Sequence, residues 1–211
     1  MEKALSVIQY YTLCNRLKHL IRTGWQDWHV QAPRLESVAE HIYGAQMLAI
    51  AMYATYDYTI DLSRVLYMLA IHELGETVIG DLTQFQIDRS EKEKLEHETV
   101  HRILQGLLNA EQIESLFLEF DTRQTPEARF AYQCDKLECD LQCKLYDEAG
   151  FVDLENQQDN ATCHDAQVQA LLQTGCSWSD MWLRFGQQRY DYDEHFRAVS
   201  DYALRHPISE A

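Results

Sequence analysis

Ile71-His72-Glu73-Leu74-Gly75-Glu76 gathers one imidazole and two carboxylates in six residues. The residues leading into it, Val65, Leu66, Met68 and Leu69, recur at the spacing of a helix with one buried side. His72 and Glu76 are four apart, so on a helix they share a face, one above the other. Upstream stands Glu40-His41, and downstream Asp135 within Gln133-Cys134-Asp135-Lys136-Leu137. Imidazoles and carboxylates are donors that one hard-to-borderline divalent cation accepts. Residues 41 to 135 lie too far apart for local structure to gather, so only a folded chain can assemble such a set.

Outward from this stretch the helical period holds almost throughout, and period-two alternation is rare. The chain predicts an all-α fold, a single helical bundle. A first helix is expected from about Ala4 to Leu20. Ser37 and Glu40 form a capping box at the start of a second, which runs to about Tyr56. A third begins near Ser63, reaches His72 and ends near Gly80. Ser90 and Glu93 suggest another capping box, opening a charged helix to about Leu108. Thr125-Pro126 opens a long helix, because proline at the first helical position gives up no hydrogen bond. Its apolar stripe reads Phe130, Cys134, Leu137, Leu141 and Leu145, and Gly150 ends it. Residues 153–162 are polar and loop-like, and two or three shorter helices follow, one capped by Ser177. No repeat or linker interrupts the chain. The expected organisation is a metal-binding core over residues 1–150, with C-terminal helices over 151–211 packed on the same domain.

The 211 residues are 46% hydrophobic and carry a net charge of −16. That charge argues against nucleic-acid polymers, which are bound through Lys and Arg. It leaves room for a small anion, provided that the pocket supplies positive charge of its own. No apolar run reaches the roughly 18 residues of a membrane span, and Met1-Glu2-Lys3-Ala4 does not open like a secretory signal. The six cysteines form no Cys-x-x-Cys pair, so a reduced, cytoplasmic protein is expected. Cys139 and Cys143, one turn apart, suit small buried positions better than a soft metal.

The order of motifs resembles the HD-domain metal-dependent phosphohydrolases, and most closely their 5′-deoxynucleotidase branch. The residues that carry the resemblance are Arg22-Thr23-Gly24-Trp25, Glu36-Ser37-Val38-Ala39-Glu40-His41, His72-Glu73-Leu74-Gly75-Glu76, Gly80-Asp81-Leu82 and Asp135. It covers roughly residues 5 to 150. The resemblance implies a helical bundle around a metal site, with His41, His72, Glu73 and Asp135 holding one divalent ion: manganese, cobalt, iron, nickel or zinc. It gives Glu76 proton transfer to the leaving oxygen, Arg22 the phosphate, Trp25 the nucleotide by stacking or by walling the sugar, and Asp81 the deoxyribose. It also implies a homodimer. The implied activity is hydrolysis of deoxyribonucleoside 5′-monophosphates to deoxynucleoside and phosphate.

One departure stands out: the family has His-Asp where this chain has His72-Glu73. Glutamate is one methylene longer, and ligand distances are fixed within a few tenths of an ångström. Glu73 either ligates directly, ligates through water, or leaves a weak site. The last case keeps open a catalytically silent nucleotide-binding or scaffold protein, and another small phosphorylated metabolite is a further possible substrate. A rival pattern, His97-Glu98-Thr99-Val100-His101, matches the His-Glu-x-x-His of zinc proteases. It stands after the highly charged Glu91–Glu96, which reads as an exposed turn, and lacks the extended motif.

Overall fold

The three prolines mark where helices cannot run through. Pro33 lies in a bend, Pro126 opens a helix and Pro207 follows the last one. The computed structural model describes residues 2–83 and 86–209. In chain order the helices are α1 (Glu2–Cys14), α2 (Thr23–Asp27), α3 (Val38–Thr55), α4 (Leu62–Ile71), α5 (Glu76–Ile79) and α6 (Arg89–Leu104). After them come α7 (Ala110–Thr122), α8 (Pro126–Glu148), α9 (Ala166–Leu172), α10 (Trp178–Gly186) and α11 (Glu194–Arg205). No strand occurs among the described residues, only an isolated bridge between Ile21 and Ser37. The all-α expectation holds.

Local chemistry explains several ends. Ser37 accepts the Glu40 amide at 3.3 Å while Glu40 Oε2 accepts the Ser37 amide at 2.9 Å, the reciprocal box read from sequence. Asp61 caps α4 by accepting the amides of Ser63 and Arg64. Thr125 Oγ1 accepts the Ala128 amide behind Pro126, and Gly150, at φ 71°, follows the end of α8.

Four expectations shift. The first helix ends at Cys14, one 3₁₀ turn (Asn15–Lys18) follows, and Asn15 Nδ2 donates to the Tyr11 carbonyl, a side-chain bond that competes with the helix ladder. The charged helix α6 starts at Arg89 with Asp88 as its cap, because Asp88 accepts the Ser90 amide. Helix α7 was not anticipated, although Ile113, Leu116, Phe117 and Phe120 carry the period. On α8 the buried track moves from Leu141 and Leu145 to Asp140, Cys143 and Tyr146, and Leu145 is 38% exposed.

The chain forms two compact units. One comprises residues up to Thr23 together with Glu36–Tyr132; the other comprises Gly24–Leu35 and the residues from Gln133 onward. The division falls inside α8. In the first unit α3 packs on α4, α6 on α7, and α5 on α6. Ile71, Leu74, Val100, Leu104 and Phe117 form a core there. The second unit is centred on an aromatic core with Trp25, Trp28, Tyr146 and Trp178, against which Trp182 packs.

Candidate metal centre

Within the first unit, three segments place the donors. Residues 20–23 run against the start of α3: Val38 N donates to the Leu20 carbonyl at 2.8 Å and Arg22 N to the Glu36 carbonyl at 3.0 Å. His41 sits one turn into α3, fully buried. His72 caps the C-terminus of α4. Its Nδ1 lies 2.8 Å from the Leu69 carbonyl, in the last turn of α4, where carbonyls lack helical partners. A carbonyl can only accept, so Nδ1 carries the hydrogen and Nε2 is the basic nitrogen, the tautomer a metal ligand needs.

The shared face expected for His72 and Glu76 on one helix does not form. Helix α4 stops at Ile71, residues 72–75 make tight turns, and α5 begins at Glu76. Leu74 N bonds the Ile71 carbonyl and Glu76 N the Glu73 carbonyl, three residues back rather than four. The tightening has a consequence for adjacent residues. Neighbours on a regular α-helix do not face each other, yet Glu73 Oε1 lies 3.5 Å from His72 Nε2 and 3.8 Å from His41 Nε2.

These separations fit one shared ion. Two donors about 2.1 Å from a metal are about 3.0 Å apart at a right angle and about 4.2 Å apart across it. Donor atoms of His41, His72 and Glu73 all lie within 4.8 Å of one another. Asp135 lies on α8 in the second unit, buried, with Lys136 Nζ 2.9 Å from its Oδ2.

Positive charge gathers on the same side. Arg22 Nη1 lies 3.2 Å from Glu73 Oε1, and its Nε 3.9 Å from Asp81 Oδ2. Asp81 is fixed by the Thr23 amide at 2.7 Å and returns its carbonyl to the Thr23 hydroxyl. Burial pushes the Glu73 carboxyl up, but His72, Arg22 and His41, which face it, outweigh burial and take it down to about 2. Glu76 is 2% exposed. Burial raises its carboxyl well above the ordinary range, and Glu73 and Asp81 push it further, against Lys92 and Arg22.

Trp25 belongs to the second unit and is 1% exposed. Tyr146 and Trp178 meet its ring edge-on, at 5.3 and 6.2 Å, and Trp182 lies over it at 5.3 Å, tilted by 34°. Stacking on a base gives way to this packing, because the ring is already covered. The protease-like pattern also resolves. His97 Nε2 lies 2.6 Å from Asp121 and His101 Nδ1 3.1 Å from Glu114, so each imidazole has its own carboxylate on α7. Neither belongs to a metal-binding group among the described residues. Sequence reasoning overlooked Lys92 and Glu96 by reading their turn as exposed. Lys92 Nζ lies 3.2 Å from Glu76 Oε1 and 3.5 Å from Glu96 Oε1.

An HD domain family model matches residues 14–174. A 5′-deoxynucleotidase of Schizosaccharomyces pombe is 34% identical over 152 residues, which cover 69% of this chain and 74% of that protein. A 5′-deoxynucleotidase of Bos taurus is 32% identical over 157 residues, 73% of this chain and 72% of that one. Among solved structures, a predicted metal-dependent phosphohydrolase of Magnetospirillum magnetotacticum superposes with a TM-score of 0.67 at 22% identity, covering 97% of each chain.

Proposed function

From the premise that the chain belongs to the HD-domain family, we propose that it hydrolyses deoxyribonucleoside 5′-monophosphates to deoxynucleoside and phosphate. The observation that carries this reading is the convergence of His41, His72 and Glu73 beside the Arg22 guanidinium, in a chain similar to 5′-deoxynucleotidases along two thirds of its length. We assign His41, His72, Glu73 and Asp135 as ligands of one divalent cation, with manganese, cobalt, iron, nickel and zinc all compatible with these donors. Asp135 enters on the resemblance, as a buried carboxylate. When bound, the cation supplies a Lewis acid for a phosphoryl oxygen and lowers the pKa of a water to near neutrality.

The chain's own groups do the rest. Arg22, held by Glu73 and Asp81, offers its remaining N–H groups to the phosphoryl oxygens as negative charge grows on them. Glu76 gives a proton to the departing sugar oxygen. Asp81 reads the sugar near its 2′ position. All these residues fall within 1–150, the proposed catalytic core.

The six free cysteines support a reducing, cytoplasmic setting, and among the described residues no helix is long and apolar enough to cross a membrane. A homodimer is the proposed assembly.

The test is phosphate release from deoxy- and ribonucleoside 5′-monophosphates, with chelator and with each of the five metals. We expect no release under chelation, and a preference for the deoxy series of about tenfold or more. Equal release from both series points to another phosphorylated metabolite. Tight nucleotide binding without release under any metal makes the protein a silent binder.

A further inference from the structure

Glu76 is anchored by one oxygen only. Its Oε1 takes the Lys92 ammonium at 3.2 Å, while its Oε2 is buried with no hydrogen-bond partner among the described residues. An unpartnered carboxylate oxygen in a buried place costs free energy unless something meets it in the working state. Lys92 is itself fixed, because its Nζ also lies 3.5 Å from Glu96 Oε1, one turn further along α6. Oxygens of Glu73, Glu76 and Glu96 all lie within 4.8 Å of one another. Three carboxylates that close repel, and the ammonium is the cation on which Glu76 and Glu96 meet.

Backbone packing holds the arrangement. A Cβ on Gly75 would sit 3.1 to 3.3 Å from the Glu96 Cγ, Cβ and Cα, so the turn before α5 presses against α6 where only glycine fits without a shift. That approach brings Lys92, one turn back on α6, within reach of Glu76.

We propose that Lys92, braced by Glu96, is a positioning residue that clamps Oε1 of Glu76 and so presents Oε2 to the leaving oxygen of the substrate. The inference rests on the proton-transfer role assigned to Glu76 above. It gives Lys92 no contact with substrate and no part in holding the metal. Its loss lets the Glu76 carboxylate rotate, and misplacement of a reacting group by about 1 Å lowers turnover by up to about a hundredfold.

The experiment compares Lys92→Met, Glu76→Gln and the double variant in kcat, KM and bound metal, using the metal-loaded enzyme. Methionine keeps the apolar stem of the lysine and removes only its charge. Expected for Lys92→Met is a kcat lower by about tenfold or more, with KM and metal content within about twofold. The double variant is expected to be no slower than Glu76→Gln alone, because two residues that act as one unit are not additive. Lys92→Arg is expected to regain part of the lost turnover. Losses that multiply in the double variant overturn the proposal, as does unchanged kcat for Lys92→Met when Glu76→Gln is slow. Unchanged kcat for Glu76→Gln sinks the parent reading instead. Should Lys92→Met fail to fold, Glu96→Gln takes its place: it removes the brace, is expected to lower kcat without raising KM, and with unchanged kcat overturns the proposal.

Discussion

At the scale of single residues, Glu73 decides most. Its longer side chain is accommodated because the chain leaves α-helical geometry at His72, which lets two adjacent side chains converge. The same oxygen, Oε1, faces both imidazoles and Arg22. Removing its charge takes away a proposed metal donor and the anchor of the guanidinium together. Glu73→Gln keeps the volume and is expected to weaken metal affinity by at least about tenfold, read by metal titration of the stripped protein. An unchanged affinity would remove Glu73 from the ligand set. His41 and His72 were legible in the sequence because imidazole is uncommon and their flanking motifs are specific. Lys92 was not, because a lysine among glutamates reads as a solvated surface until a second helix is known to face it.

At the scale of elements, the capping boxes and the proline start worked as sequence signals because their chemistry is complete within four residues. The buried track of α8 did not, since periodicity tells which residues share a face but not where a partner helix ends. One result is Asp140, buried on α8 and hydrogen-bonded by the Tyr190 hydroxyl, with Gly186 pressed against its carboxyl group. Burial pushes this carboxyl up from 3.8 to about 7, only partly opposed by Tyr190 and Arg189. Between those values the folded chain keeps a proton that the unfolded chain has released. The contribution to stability is therefore whole below about pH 4 and is lost as pH rises to about 7, on the order of a few kcal/mol. Asp140→Asn keeps an oxygen for Tyr190 and removes the ionisation. Urea midpoints at pH 5 and pH 8 are expected to fall in the parent chain relative to the variant. Parallel pH profiles for the two would contradict the argument.

At the scale of the whole molecule, charge and assembly come into play. A net charge of −16 is spread over the chain, and Arg22 beside the proposed cation site is where the proposed function needs one locally positive place for a small anion. Helix α3 leaves Tyr43, Met47, Ile50 and Tyr53 exposed on one face, with Tyr67 exposed on α4, which packs against α3. Such a stripe is where the proposed homodimer would make its two-fold contact. Sedimentation is expected to give twice the chain mass, and Tyr43→Asp with Met47→Lys to shift it toward the monomer; a monomeric parent chain would dismiss the dimer. The sequence by itself determined the all-helical class and the main capped starts, and it pointed to the imidazole and carboxylate residues of the proposed metal motif, because periodicity, caps and rare side chains act within a few residues. Only the tertiary structure decided that α4 breaks at His72, that Trp25 spends its ring on other aromatics, and that Lys92 turns inward to Glu76. Those outcomes depend on which helices press together and on which polar atoms are then left needing a partner, and no short stretch of chain contains that information.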